Sequence, residues 1–425
     1  MLSPMPPAET GIATYSASVL AALEESGFTD RNELDVVWPV GSDADRRLSR
    51  SDIALYHVGN NAMFHRAIYR YAIERPGIAV LHDLALDDLT RFLVRAGDPL
   101  GPQSVVEARM LKAGARRTLD VSEALAMPWC AHVVRRSRGV IVHSRFARTY
   151  LEELGCRTPV YVAPHPVVET EERLSAARAR GETMRAALAR RRGVPAFDVL
   201  IGVLGDLSAS KGIEAILDAL PRIGADVHLV LVGRTASGWD VTAAVRRGGH
   251  EGRVTIAPDV SDRDFLGWLS VCDVVVNLRH PHRGEVSGSL IRSLQMGRPT
   301  LVSATGTYLE WPPDSVVRMS PGVPSAEELA SVLTLLAVDR GRRTSVGQRG
   351  RVYVLEHCSP SATADVYERA IRDTLEILAD PARRAVARWA AGLAQMGASA
   401  ETARRGLGTR FSEELEAVSE ARASG

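Results

Sequence analysis

Cysteine is scarce in this chain of 425 residues. Its four copies, Cys130, Cys156, Cys272 and Cys358, stand far apart with no C-x-x-C pair, so neither a zinc cluster nor a disulfide framework is suggested, and a reducing compartment fits. No apolar run approaches the roughly 18 residues of a membrane-spanning helix. The opening Met1-Leu-Ser-Pro-Met-Pro-Pro7 lacks the charged and apolar regions of a secretion signal. The expectation is a soluble, cytoplasmic protein. Net charge is only +1, which gives no global electrostatic reason to expect nucleic acid as a partner. Arginine greatly outnumbers lysine and alanine is abundant, which reads as genomic bias. No G-x-G-x-x-G follows a predicted strand, which argues against a dinucleotide oxidoreductase.

What is present is a globular composition, 45% hydrophobic and 24% charged, in a chain too long for one ordinary core. After the proline-rich start, a helix is predicted from Gly11 to about Ser26. Strands at 34–40, 52–59, 78–81, 139–142 and 159–163 then alternate with helices at 63–74 and 145–154 and a largely helical region at 84–138. Such alternation predicts a parallel sheet covered by helices. A second alternation places strands at 200–204, 227–232, 254–256, 274–278 and 300–303, with helices between them and further helices at 326–337 and 363–378. The expected fold class is α/β, two Rossmann-like domains facing a cleft, with C-terminal helices. The expected boundaries are an N-terminal domain at 1–170, a basic helical linker at 171–195, a C-terminal domain at 196–360, a helix at 361–380 packing back towards the first domain, and a tail at 381–425 of no readable role. The linker, rich in Arg, Ala and Glu without a clear apolar stripe, is expected to be solvated.

One stretch organises the rest. The apolar run Val274–Leu278 reads as a buried parallel strand, and Leu290, Ile291 and Leu294 recur at helical spacing until Gly297-Arg298-Pro299 stops them. Between them lies the polar turn from Arg279 to Ser289. Ser287 is a good N-cap, Gly288 admits a ligand close to the backbone, and the free N–H groups of a helix start bind anions. A turn at the carboxyl end of a parallel strand is where open α/β sheets bind ligands. With Glu285, Arg279 and Arg283 flanking it, the turn reads as a holder for a sugar diphosphate.

Several segments, in order, resemble retaining glycosyltransferases of family four, which have the GT-B fold. Ile201-Gly-Val-Leu-Gly-Asp-Leu-Ser-Ala-Ser-Lys-Gly212 is similar to that family's first strand and phosphate loop, and Leu229-Val-Leu-Val-Gly-Arg234 to its second. Ile256-Ala-Pro-Asp-Val-Ser-Asp-Arg-Asp-Phe265 resembles the loop against the base, and Arg283-Gly-Glu-Val-Ser-Gly-Ser-Leu290 the donor turn. Pro4–Tyr15 resembles the glycine-bearing N-terminal loop, and Val80-Leu-His-Asp-Leu84 the His-Asp strand end. The likeness covers roughly residues 1–375. It makes the C-terminal half the nucleotide-sugar domain and the N-terminal half the acceptor side.

The resemblance implies roles residue by residue. Lys211 would neutralise the donor diphosphate with Gly205 beside it; without that context it is a solvated lysine at a helix start. Glu285 would bond the sugar hydroxyls, or else serve only the helix dipole. The amides of Val286, Ser287, Gly288 and Ser289 would bind phosphate oxygens. Gly233, Asp259 and Val260 would lie on the base side, Gly11 near the donor phosphate or the acceptor, and His82 beside the transferred sugar. Asp83 would touch substrate, orient His82 or cap the next helix. Asn60 and His65 are acceptor-side candidates, with Asn60 equally at home in a turn. Two departures stand out: Ser293 occupies the position of a ribose-gripping glutamate, and Asp206 that of a loop arginine, whose charge Arg279 or Arg283 would replace. Only Met1 and Leu2 precede Ser3-Pro4, so a complete first strand is missing or lies upstream.

The implied activity is metal-independent transfer of a sugar from a nucleoside-diphosphate sugar to a small-molecule, glycan or lipid-linked acceptor, with no further cofactor. Asp43-Ala-Asp45 has D-x-D spacing but sits in a polar turn, so a solvated loop is the preferred reading. Competing readings are a noncatalytic nucleotide-sugar-binding or complex subunit, favoured by Asp206 and Ser293, and a nucleotide-sugar epimerase.

Overall fold

The computed structural model describes residues 1–115, 122–167, 169–236 and 239–379. Met1–Glu368 form one compact unit; Arg369–Gly425 form a second, of which only 369–379 are described. The tail at 381–425 lies outside the described residues.

The first unit holds two parallel sheets. One has strands β1 (Leu55–Val58), β2 (Ile78–Leu81), β3 (Gly139–Val142) and β4 (Val160–Val162) in sequential order. The other joins β5 (Val199–Leu204), β6 (Val227–Val232), β7 (Val254–Ala257), β8 (Val274–Asn277), β9 (Thr300–Ser303) and β10 (Val317–Met319) in the order β10-β9-β8-β5-β6-β7. Strand β5 shows why its continuous apolar run was legible: Val199, Ile201 and Val203 enter one buried cluster, while Leu200 and Leu204 enter another on the opposite face. A strand covered by helices on both sides has no polar alternation to keep. The strand order reverses between β5 and β8, so their carboxyl ends open a crevice that no crossover helix can cover.

The N-terminal sheet has a comparable reversal. Leu2 bridges in parallel to Val37 on one side and Tyr56 on the other, and its N–H donates to the Leu55 carbonyl at 2.8 Å. A single bridged residue therefore stands where a first strand was expected. The predicted strand at 34–40 reduces to this one bridge at Val37. Two residues on, Pro39 has no N–H to extend the ladder.

Two helices depart from expectation for one physical reason. The helix Glu171–Ala189, expected to be solvated, buries Leu174, Ala177, Gly181 and Leu188 against the helix Asp262–Val271. A Cβ on Gly181 would stand 2.3 Å from the Gly267 carbonyl oxygen, so backbone meets backbone in the middle of a narrow stripe formed by Leu174, Ala177, Met184 and Leu188. The helix Arg340–His357, unpredicted from sequence, repeats the device: a Cβ on Gly347 would lie 2.1 Å from the Gly297 carbonyl oxygen. Helix periodicity is blind to contacts made by absent side chains. In the helix Pro360–Ala379, Glu368 accepts from Ser26 Oγ at 2.7 Å and Tyr367 meets Tyr15, hydroxyl to hydroxyl, at 3.0 Å. Among the described residues no helix is long and apolar enough to cross a membrane.

Candidate functional site

The loop leaving β5 is shaped by glycine. Gly205 has φ +101° and Gly212 φ +65°, conformations that side-chain-bearing residues rarely adopt. A Cβ on Gly233 would sit 2.3 Å from the Gly205 carbonyl oxygen, which puts Gly233 directly behind the loop. Between Gly205 and Gly212, the short 3-10 turn Ala209–Lys211 aims Lys211 back under β5, where Nζ donates to the Leu204 carbonyl. Lys211 is only 3% exposed. Burial, reinforced by nearby Arg279 and opposed by Asp206, holds its pKa well below the usual lysine value. A Cβ on Gly205 would lie 2.9 Å from Lys211 Nζ and 3.8 Å from Ser289 Oγ, so this loop and the turn after β8 converge on one spot.

The turn itself is braced from beneath. Asn277, the last residue of β8, is buried and hydrogen-bonds Ser287 Oγ at 3.2 Å, while its Oδ1 accepts from Ser289 Oγ at 3.4 Å. Ser287 caps the helix Gly288–Gln295 by accepting from Leu290 N at 3.3 Å. The start of that helix therefore lies near Lys211, since a Cβ on Gly205 would be close to both Ser289 Oγ and Lys211 Nζ. Glu285 is fixed at both oxygens: Oε2 accepts from Arg283 N at 2.7 Å, and Oε1 lies 3.4 Å from Arg279 Nε. The two arginines part company. Arg279 stays beside Glu285 and donates to the Leu278 carbonyl at 2.8 Å. Arg283 instead reaches Asp87 at 3.3 Å and Asp88 at 3.7 Å. Arg283 thus does not replace the positive charge missing at Asp206. That carboxylate pairs with Arg234, just after β6, at 3.2 Å.

The opposite wall is made of strand ends from the N-terminal sheet. His82 follows β2 and is half-buried, with Nε2 3.1 Å from Nδ1 of the buried His57 in β1. Tyr15 packs its ring against His57, His82, His143 and His165 at centroid distances of 5.9, 4.8, 4.8 and 5.0 Å. Burial lowers the pKa of every one of these imidazoles, with His143 at about 3 and His165 at about 4. Sequence reasoning found only His82. The signal was there: histidine recurs in or just after all four strands of this sheet, at 57, 82, 143 and 165.

Asp83 accepts from Asn60 N at 2.9 Å, and its carboxyl is pushed up to about 7 by burial and by Glu285 across the cleft. Asn60 itself is spent as a cap: its Oδ1 accepts from Asp88 N at 2.9 Å and Leu89 N at 3.2 Å at the start of the helix Asp87–Arg95, and its Nδ2 donates to Asp87 and Asp88. The acceptor-side expectation for Asn60 therefore gives way to the cap alternative. His65 is 1% exposed and bonds the His57 carbonyl at 3.0 Å, which places it beneath the wall instead of on its surface. The two walls touch directly, because Leu84 and Ala85 N–H groups donate to the Arg283 carbonyl at 3.0 and 3.1 Å.

No family model matches the chain. A D-inositol 3-phosphate glycosyltransferase of Xylanimonas cellulosilytica is 28% identical over 198 residues, covering 45% of this chain and 47% of the relative. The matched stretch thus spans about half the length of that curated relative. Among solved structures, Anabaena HepE in complex with UDP and glucose superposes with a TM-score of 0.58 at 15% identity, covering 87% of this chain and 97% of that one. Sucrose-phosphate synthase from Thermosynechococcus elongatus gives 0.55 at 18% identity, over 78% of this chain and 76% of its own. The chain has the GT-B fold.

Within this GT-B molecule the remaining candidates separate by position. Gly11 opens the helix Gly11–Glu25, is exposed, and would accept a Cβ with nothing within 4 Å. Asp259 is exposed after β7, a non-glycine residue at φ 48°, while Val260 packs inward against an apolar cluster. Ser293 is fully buried, its Oγ 2.6 Å from Thr300 Oγ1 between the helix Gly288–Gln295 and β9. Facing the sheet, it cannot reach a ribose, which corrects its place among the donor-binding candidates.

Proposed function

We propose that this protein is a metal-independent, retaining glycosyltransferase of family four that takes its sugar from a nucleoside diphosphate. The observation that carries the reading is the convergence of a buried lysine, Arg279 and a helix N-terminus on one spot at the topological switch of the second sheet. A buried lysine whose charge burial and Arg279 disfavour is relieved by an anion with two phosphates. When the sugar departs, charge grows on the leaving diphosphate, and Lys211, Arg279 and the amides of Val286, Ser287, Gly288 and Ser289 stabilise it without reorganising. That positive field supplies the charge that a metal would supply elsewhere. Glu285, held by Arg279 and the Arg283 amide, bonds the sugar hydroxyls; His82 lies beside the same sugar, and Asp83 lines the acceptor side. The acceptor hydroxyl attacks from the face the diphosphate leaves, and its proton passes to the departing phosphate oxygen. A small-molecule, glycan or lipid-linked hydroxyl acceptor, a cytoplasmic setting and the domain division at about residue 170 complete the proposal.

The test is a thermal-shift screen against UDP, GDP, ADP and dTDP, each alone and as its sugar conjugates. HepE's UDP and glucose make uridine the first base to try. A ligand at a hundredfold excess over its Kd adds about 2.7 kcal/mol of stability. A selective shift fixes the base. No shift from a folded protein would sink the donor-site reading. The buried Ser293 favours one second reading, a nucleotide-sugar-binding subunit without turnover; a shift with no sugar transfer to any acceptor would select it.

A further inference from the structure

A single carbonyl sets the direction of a hydrogen-bonded chain that ends at His82. Ser3 Oγ has two partners, the Pro4 carbonyl at 3.2 Å and Ser16 Oγ at 2.5 Å. A carbonyl can only accept, so the Ser3 proton goes to Pro4, and Ser3 Oγ must accept from Ser16. Ser16 has then used its one proton. Towards His57 Nδ1, 3.3 Å away, Ser16 Oγ can only accept, which requires the proton on His57 Nδ1. That same N–H faces His82 Nε2 at 3.1 Å. Both imidazoles are neutral at pH 7, because burial disfavours their charged forms. A neutral His82 that accepts at Nε2 carries its own proton on Nδ1. The opposite polarity would leave His57 with an N–H on its buried Nε2, an atom with no partner among the described residues, and buried N–H groups without acceptors are rare.

We propose that His57 is a positioning residue that locks His82 into its Nδ1–H tautomer, so that His82 meets the donor sugar as a hydrogen-bond donor and not as a base. The sugar contact rests on the glycosyltransferase reading; the tautomer does not. The packing supports a fixed ring: Tyr15 meets His82 edge-on at an interplanar angle of 81°, and His57 stacks at 29°. With Nε2 tied back into the domain, only Nδ1 is left for substrate.

Nitrogen-15 NMR of the full chain labelled at histidine reads the tautomer directly, with His82→Ala identifying the signals. The expected spectrum has His57 and His82 both protonated at Nδ1 near pH 7. His57→Asn keeps an N–H where Nδ1 was and retains the His82 Nδ1–H form. His57→Leu removes that N–H, so His82 becomes a mixture of tautomers and kcat/KM falls about tenfold, the usual lower bound for losing an orienting partner; His57→Asn restores most of that loss. If the leucine variant fails to fold, the wild-type spectrum still decides. A proton on His82 Nε2 in the wild type, or an unchanged tautomer in a folded leucine variant, overturns the assignment. A His82 Nδ1–H spectrum from a protein that no nucleotide sugar stabilises upholds the tautomer and defeats the glycosyltransferase reading instead.

Discussion

The two walls of the cleft handle charge in opposite ways. On the proposed donor side, glycines bend the backbone and Lys211 sits close to Arg279 although burial and that neighbouring cation disfavour the charge on Lys211. On the proposed acceptor side, His57, His65, His82, His143 and His165 are all held neutral by burial around or beneath Tyr15. In the proposed function one wall binds an anion; the other needs no counter-charge. Ligand should therefore act mainly on the first and acid on the second.

The largest expected effect is that of acid. Each imidazole is neutral when folded and titrates near 6.5 when unfolded, so below that pH the unfolded chain binds more protons and stability falls. With His65 and His165 at about 4 and His143 at about 3, all three remain neutral in the folded state at pH 5.5. Each costs about 1.4 kcal/mol per pH unit once the unfolded state is charged. Together they remove roughly 4 kcal/mol per unit at full effect, a large share of the 5–15 kcal/mol typical of a folded domain. Urea midpoints at pH 7.5, 6.5 and 5.5 should fall increasingly steeply, with the nucleotide-induced shift much less affected over the first step. A flat profile would mean that these histidines are not buried neutral groups.

Next in size is the donor wall. Lys211→Ala should weaken binding of the bare nucleoside diphosphate by about 1.5–3 kcal/mol, roughly ten- to hundredfold, because a charge-assisted contact is lost. Glu285→Ala should lower turnover far more than it lowers affinity for that same diphosphate, since its proposed contacts are with sugar. Calorimetry for affinity and initial rates for turnover separate the two. Equal losses in Glu285→Ala, or unchanged affinity in Lys211→Ala, would erase the division between phosphate and sugar contacts.

These walls also differ in how far the sequence disclosed them. The donor side was legible because its parts are local: a strand, a glycine turn and a cap lie within about a dozen residues of one another, and Lys211 is one of two lysines in the whole chain. An arginine-biased chain that keeps lysine at 211 marks the position. The acceptor side is assembled from four strands more than 100 residues apart, from His57 to His165, and a histidine is informative only once its neighbours are known. Ser293 and Asn60 misled for a related reason. Their residue types suit a ligand as well as a cap or a core hydroxyl pair, and only the partners, Thr300 for one and the helix start at Asp87 for the other, decide. Close glycine contacts were not legible: the helix around Gly181 was expected but taken as solvated, and the helix around Gly347 was not expected.

The smallest expected effect tests whether the N-terminal loop belongs to the donor wall at all. Gly205 and Gly11 were both singled out as glycines near phosphate, but their surroundings differ. Gly205 needs its positive φ, so a side chain there strains the backbone whatever it binds. Gly11 has no such requirement, and a Cβ there meets nothing within 4 Å. Gly11→Ala should therefore leave stability within about 0.5 kcal/mol of the wild type. Any kinetic change must come from a ligand occupying that space. A raised KM for the nucleotide sugar with unchanged melting would place Gly11 against the donor, and a raised KM for the acceptor alone would move it to the other wall. Unchanged kinetics would leave Gly11 as a helix start and nothing more, and the donor wall would then consist of the second sheet's loops only.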